Sequence, residues 1–112
     1  METKNAVAAL SALAHEGRLG IFRLLVQAGV DGLPAGEVAR RLGVLPNTLS
    51  SSLALLSQAG LIASRRDGRS IIYTAQYDGM RDLLAFLMED CCGGSAEICG
   101  PLANIARDCC AA

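Results

Sequence analysis

Apolar residues recur every three to four positions through most of the chain up to residue 90, which predicts a succession of short amphipathic helices. In the fourth predicted segment, for example, Leu49, Leu53 and Leu56 share one helical face. Glycine and proline residues separate the segments and set their bounds. The predicted helices cover residues 4–14, 16–28, 35–42, 46–59 and 77–90.

The pattern changes between the fourth and fifth helices. Residues 61–66 and 70–74 are short β-favouring runs, and the Asp67-Gly68 pair between them is a strong hairpin signal. Two short helices joined by a tight turn and followed by a β-hairpin are typical of a winged helix-turn-helix. We therefore expect a mainly α fold with a small β-hairpin wing. The third helix would be the support helix and the fourth the recognition helix, and residues 30–34 would form a loop.

Composition limits the alternatives. The chain has 112 residues, of which 52% are apolar, enough for one packed core; only 4% are aromatic, so we expect an aliphatic core. No apolar run reaches the roughly 20 residues that a membrane-spanning helix needs. Residues 6–14 (AVAALSALA) imitate part of a secretory leader, but we interpret them as an Ala/Leu-rich helix. We expect a cytoplasmic protein that keeps its thiols reduced and has no membrane partner.

Charge is distributed unevenly along the chain. The net charge is −1, yet residues 40–76 carry +4 and residues 77–112 carry −4. A nearly neutral total therefore conceals a basic zone that coincides with the predicted helix-turn-helix and wing. This local basicity is compatible with binding to nucleic acid, although the acidic total excludes a globally basic chain.

The recognition helix and the wing supply the candidate contacts to double-stranded DNA. Short polar side chains that can approach phosphates and base edges are predicted on the exposed face of the helix: Asn47, Thr48, Ser50, Ser51 and Ser52. Positive charge comes from the support helix and the wing, through Arg40, Arg41, Arg65, Arg66 and Arg69. We name Arg40, Arg66 and Arg69 as candidate DNA-binding residues, and Arg69, beside the turn, is suited to reach a minor groove. Taken singly, each of these residues is more typical of a merely solvated surface. Taken together with the order of the elements, they favour DNA binding.

Two stretches resemble a known family. The run LPNTLSSSLALLSQAGLIASRRDGRSIIY resembles the helix-turn-helix and wing of the ArsR family of bacterial metalloregulatory repressors, and ALAHEGRLGIFRLL resembles the opening helices of that family. The resemblance implies a homodimer that pairs through its first and last helices and binds operator DNA. It also implies that an inducer releases the DNA. On this basis residues 1–90 would form the DNA-binding and dimerisation domain, and residues 91–112 a cysteine-rich tail that holds the inducer.

The five cysteines all follow residue 90. Cys91 and Cys92 are adjacent, Cys99 follows seven residues after Cys92, and two glycines between them allow the backbone to fold back. Thiolates select soft ions, and a pyramid of three sulfurs suits trivalent arsenic or antimony. The tail also resembles that of arsenic-responsive repressors with a vicinal cysteine pair after the last helix, which implies that these three residues are the metal ligands.

Other interpretations of the thiols stay open. Many ArsR-family sensors carry a Cys-x-Cys pair in the support helix, which here has no cysteine. The same repressor could sense another thiophilic ion, such as Cd, Zn, Pb or Hg, and a four-sulfur site would suit zinc or cadmium. A two-sulfur site would suit methylated arsenic, and the thiols could also sense oxidants. We assign no role to the pair Cys109 and Cys110, and we interpret His15 as a helix-end residue. No catalytic triad, phosphate loop or organic-cofactor motif is present, so we do not expect an enzyme.

Overall fold

The computed structural model describes residues 2–88, which form one winged helix-turn-helix domain with a three-stranded antiparallel sheet. The helices of this part are α1 Thr3–Leu13, α2 Glu16–Ala28, α3 Ala35–Leu42, α4 Pro46–Gln58 and α5 Tyr77–Leu87. The strands are β1 Leu33–Pro34, β2 Ile62–Asp67 and β3 Ser70–Ala75, and a single 3₁₀ turn covers Gly29–Asp31. The predicted helices and hairpin strands are confirmed, with differences of at most one residue at their ends, except that α5 ends at Leu87. The predicted end of the last helix, residues 89–90, lies outside the described residues.

Helix ends coincide with capping and glycine residues in the sequence. His15 is the N-cap of α2, where its Nδ1 accepts hydrogen bonds from the backbone N–H of Gly17 (3.1 Å) and Arg18 (3.4 Å). The predicted helix-end position of His15 is thus confirmed. Arg18 in turn donates from Nε to the carbonyl of Ala12 (2.7 Å), which ties the end of α1 to the start of α2. Gly43 ends α3 in the left-handed region, with φ 65° and ψ 34°.

The sheet contains one strand that the sequence pattern did not predict. β2 and β3 pair as the expected hairpin, from Ile62 opposite Ala75 to Asp67 opposite Ser70. β1, within the predicted loop, adds to the other side of β3, so the strand order is β1-β3-β2. Gly32 precedes β1 at φ 67°, and a Cβ there would overlap the backbone of β3. The wing is therefore fastened at its base to the connection between α2 and α3.

One apolar core joins all five helices of residues 2–88 to the sheet. Its most deeply buried side chains are aliphatic and come from α2, α3, α4, α5 and the start of the hairpin: Ile21, Leu25, Val38, Leu56, Leu61 and Leu83. Small residues of α1, among them Ala6 and Ala9, let that helix approach closely. The prediction of an aliphatic core is confirmed, with Phe22 as the buried aromatic residue of this region. No helix in residues 2–88 is long and apolar enough to cross a membrane.

Candidate nucleic-acid interface

The outer face of α4 carries most of the predicted polar residues. Asn47, Thr48, Ser50 and Ser51 are exposed, whereas the apolar stripe that opens with Leu49 is buried against the core. Ser51 also donates a hydrogen bond from Oγ to the Asn47 carbonyl (3.3 Å), which keeps that hydroxyl close to the helix. The polar side chains on this face are therefore short and uncharged, so the helix can approach a nucleic-acid groove closely.

Ser52 does not belong to this face. Its side chain is buried, with 7% of its surface exposed, because it lies three residues after Leu49 and four before Leu56, both in the core. The prediction that Ser52 is exposed on the recognition helix is wrong. A helix with 3.6 residues per turn cannot present three consecutive serines to the same side.

Arg40 and Arg41 on α3 share a single carboxylate. Arg40 donates to both oxygens of Glu37, from Nε to Oε2 at 3.0 Å and from Nη2 to Oε1, and Arg41 donates from Nε to Oε1 at 2.8 Å. These hydrogen bonds lower the pKa of Glu37 to about 2 from its ordinary 4.5, and the Glu37 carboxylate raises the pKa of Arg40. When Glu37 is counted, residues 37–76 carry +3 rather than the +4 of residues 40–76. The i, i+3 and i, i+4 spacing from Glu37 to the arginines is the sequence signal for this group.

The arginines of the wing differ in their contacts. Because side chains alternate along a strand, Arg65 and Arg66 point to opposite faces of β2. Arg65 donates to the carbonyls of Val30 (3.1 Å) and Asp31 (2.8 Å), so it braces the hairpin against the 3₁₀ turn. The side chains of Arg66 and Arg69 are exposed, and their guanidinium groups form no hydrogen bond or ion pair within residues 2–88. These two remain the arginines of the wing that can meet phosphates.

The three parts adjoin in the fold. α4 packs against α3 and against β2. Arg40 on α3, the polar face of α4, and Arg66 and Arg69 on the wing therefore belong to consecutive packed elements. Uncharged polar groups for base edges and positive charge for phosphates on neighbouring elements fit an interface for a polyanion.

Two further features of the surface are apolar. Leu45, the residue immediately before α4, is 74% exposed although it is apolar. On α1 and α5, which pack against each other, exposed apolar side chains form what we term the α1/α5 apolar face: Val7, Leu10, Leu84 and Leu87. An apolar face of this kind on packed helices is typical of an interface between proteins.

The predicted ligands Cys91, Cys92 and Cys99 lie outside the described residues, as do Cys109 and Cys110. Within residues 2–88, no three His, Cys, Asp or Glu side chains lie close enough together to hold a metal ion.

Comparison with known proteins places these features in context. The profile of a helix-turn-helix domain family matches residues 13–65. The HTH-type transcriptional regulator YgaV of Escherichia coli is 34% identical over 89 residues, which cover 80% of this chain and 88% of YgaV. A Halobacterium salinarum protein, ArsR, whose name assigns it to repression of an arsenical resistance operon, is 43% identical over 63 residues, 56% of this chain and 48% of that protein.

Solved structures share the fold over most of the chain. An ArsR-like transcriptional regulator from Rhodococcus sp. RHA1 superposes with a TM-score of 0.70 and 28% identity, covering 93% of this chain and 92% of that one. A homodimeric winged helix-turn-helix DNA-binding domain from Mycobacterium bovis, described as a possible ArsR-family regulator, has a TM-score of 0.64 and 28% identity. That comparison covers 76% of this chain and 77% of the other.

Proposed function

Since the chain belongs to the ArsR-type family of winged helix-turn-helix transcriptional regulators, we propose that it is an arsenic-responsive repressor. It binds operator DNA as a homodimer and releases the operator when trivalent arsenic or antimony binds cysteine thiolates in its C-terminal segment. The DNA-binding part of the proposal rests on one observation: α4 exposes a polar, uncharged face and packs against both α3 and β2, the elements that carry Arg40 and Arg66.

The dimer is proposed to form through α1 and α5. Two exposed apolar residues on each of these packed helices, Val7, Leu10, Leu84 and Leu87, are between 42% and 56% exposed. Burying such residues against a second copy is favourable because it removes apolar area from water. A twofold dimer would place two copies of α4 to meet two half-sites, and these lie about one helical turn of DNA apart.

The inducer is proposed from the chemistry of the cysteines. Three thiolates offer soft sulfur donors, which favour soft metals and metalloids over magnesium or calcium. The 43% identity to a protein named for repression of an arsenical resistance operon supports arsenic as the inducer. Cys91 follows Leu87 of α5 by four residues, so binding at Cys91, Cys92 and Cys99 would act next to the proposed dimer interface.

Release follows from linkage between the two sites. An inducer that binds more tightly to the DNA-free conformation lowers the affinity for DNA by the same factor, typically about 5–150-fold. Drawing the thiolates together beyond α5 would change the packing of α5 against its symmetry mate. The two α4 helices would then no longer match the spacing of the half-sites. A cytoplasmic location is proposed with this function, because it keeps the thiols reduced.

The experiment has two stages. Selection from random double-stranded DNA would first identify an operator, and sequence-preferring binding that weakens with rising salt is the expected result. The complex would then be titrated at fixed salt with arsenite, antimonite, cadmium and zinc under reducing conditions, and in a separate series without reductant with peroxide. Release by arsenite and antimonite at the lowest concentrations supports the proposal. Preferential release by cadmium or zinc, or by peroxide only, would assign the repressor to another thiophilic ion or to oxidants. Failure to bind any DNA sequence preferentially would refute the DNA-binding function.

A further inference from the structure

Leu45 breaks two local rules at the start of α4. The residue before a helix is preferentially Ser, Thr, Asp or Asn, whose side chain accepts a hydrogen bond from the first turn. Leu45 has no such group, and α4 has no side-chain cap at this end. Its side chain is also 74% exposed, more than any other large apolar residue in 2–88 except Val30. Departures from local preference are expected where a residue serves binding rather than folding.

The backbone around Leu45 holds its side chain outward. Gly43 turns the chain in the left-handed region, and the N–H of Val44 then donates to the carbonyl of Ala39 (3.2 Å). Val44 packs against the core, and Leu45 follows it in extended conformation with φ −70° and ψ 146°. With Val44 on the core and Leu45 74% exposed, the side chain of Leu45 points away from the core. Pro46 keeps this conformation, because a residue before proline is disfavoured in the helical region.

The position of Leu45 indicates which chemical group it would contact. In a helix-turn-helix, the first residues of the recognition helix contact base edges in the major groove. Leu45 is continuous with Asn47 and Thr48, the exposed polar residues of the first turn. The apolar group that the major groove presents is the 5-methyl group of thymine. A Leu side chain there has no hydrogen-bonding group, so it cannot read the donor and acceptor pattern of other bases.

We propose that Leu45 contacts a thymine methyl group in each operator half-site and so determines part of the sequence specificity. This inference rests on the proposed DNA-binding function, and it is independent of the inducer. It assigns an apolar contact to an interface whose remaining described candidates are polar or charged.

The experiment removes only the methyl group. Each thymine of the selected operator is replaced in turn by deoxyuridine, which keeps base pairing, and the affinity of the full-length protein is measured. The free energy of burying one methyl-sized group predicts that operator affinity falls about fourfold when the contacted thymine is replaced in one half-site. Replacement in both half-sites should lower it about fifteenfold. Leu45→Ser should bind thymine and deoxyuridine operators equally. It should also melt at a higher temperature than the wild type, because Ser can cap α4, so lost discrimination would not reflect misfolding.

Two controls complete the design. Leu45→Ala should abolish discrimination in the same way without adding a cap. Leu55→Ala removes a 45% exposed leucine from the other end of the same helix and should retain the fourfold preference for thymine. Equal wild-type binding to every deoxyuridine operator would overturn the inference, as would a preference for thymine that persists in Leu45→Ser and Leu45→Ala. If no operator with sequence preference can be selected, the proposed function fails first and this inference fails with it.

Discussion

Glu37 forms ion pairs with two of the arginines that the charge pattern assigns to DNA. Its carboxylate accepts hydrogen bonds from both Arg40 and Arg41, and the side chains of these arginines are 71% and 47% exposed. Exposed ion pairs are weak in water, so a phosphate can displace the carboxylate. The displaced carboxylate would then stay near the phosphate and repel it. Glu37 therefore limits the affinity of α3 for the DNA backbone.

Glu37→Gln is expected to tighten operator binding at low salt. The plot of log affinity against log salt should steepen by about 1 for each arginine that gains a phosphate contact. Fluorescence anisotropy across a salt series measures both quantities. Asp82→Asn on α5 makes the same change in net charge away from α3 and serves as the control. Equal effects of the two substitutions would show that only the total charge matters.

The pH dependence of this effect follows from the lowered pKa. Because Glu37 has a pKa of about 2, it stays ionised at neutral and mildly acidic pH, and the difference between Glu37→Gln and wild type should be constant from roughly pH 5 to 8. The stabilisation that the ionised carboxylate gives to the fold is fully present above its ordinary pKa of 4.5. It is lost as the pH falls from there through about 2. Urea denaturation of both proteins across that window checks the sign.

Single residues show how far periodicity predicts the candidate interface. The buried stripe of α4 and the exposure of Asn47 and Thr48 follow from 3.6-residue spacing. The same spacing places Ser52 in the core. The prediction that Ser50, Ser51 and Ser52 all lie on one exposed face is incompatible with that spacing. The contact of Arg65 with Val30 and Asp31 joins residues 34 and 35 positions apart in sequence, and local pattern carries no information on such a contact.

Among the elements, the sequence predicts best those that are bounded by glycine, proline or a turn signal. Gly43 and Pro46 bound α3 and α4, and Asp67-Gly68 marks the hairpin. β1 has two residues and so cannot display an alternating pattern. It exists because Leu33 and Pro34 lie beside Tyr73 and Ile72 once the core has formed. Tertiary packing, rather than local preference, determines this element.

The attachment of α5 depends on one glycine. Gly79 lies in the first turns of α5, and a Cβ there would overlap the carbonyl of Gly60, at the end of the α4 region. Gly60 is backbone in a turn with φ 77°, so neither partner can move aside as a flexible side chain would. Close contact between the two glycines thus determines how α5 sits on the domain.

Gly79→Ala is expected to destabilise the fold by about 1–3 kcal/mol, the usual cost of inserting a group into a packed contact. Gly20→Ala on α2 is the matched control, since a Cβ there meets no atom within 4 Å. That control should be neutral or stabilising by up to about 1 kcal/mol, because Ala favours helix over Gly. Urea denaturation measures both. Equal stability of the two variants would contradict the packing of α5 against Gly60.

For the whole molecule, the proposed dimer would decide how tightly α4 binds the proposed operator. Leu84→Glu places a charge in the α1/α5 apolar face and should shift the protein to monomer in sedimentation velocity experiments. Operator affinity should fall by about 10²–10⁴-fold, because two linked half-site contacts become independent. Val30→Glu introduces the same group at an 81% exposed site off α1 and α5 and should leave the dimer intact. A dimeric Leu84→Glu would refute this interface.

The molecule as a whole carries its proposed DNA contacts and its proposed inducer ligands in different parts of the chain. Residues 37–76 hold the arginines and the recognition helix, whereas all five cysteines follow residue 90. The sequence predicts this division from charge and composition, and residues 2–88 have the predicted winged helix-turn-helix fold. The division itself and the DNA contacts stay predictions. The role of Cys91, Cys92 and Cys99 stays a prediction, because it depends on residues beyond that part.

The most direct test of the account is operator release by arsenite, followed by fluorescence anisotropy at fixed salt in reducing buffer. The wild type and a Cys109→Ser, Cys110→Ser control are expected to lose at least about tenfold in operator affinity, within the usual range of allosteric coupling. A Cys91→Ser, Cys92→Ser variant should bind the operator equally well without arsenite and keep it when arsenite is added. Release of the operator from that variant at wild-type arsenite concentrations would contradict the account, as would a wild-type complex that arsenite leaves intact.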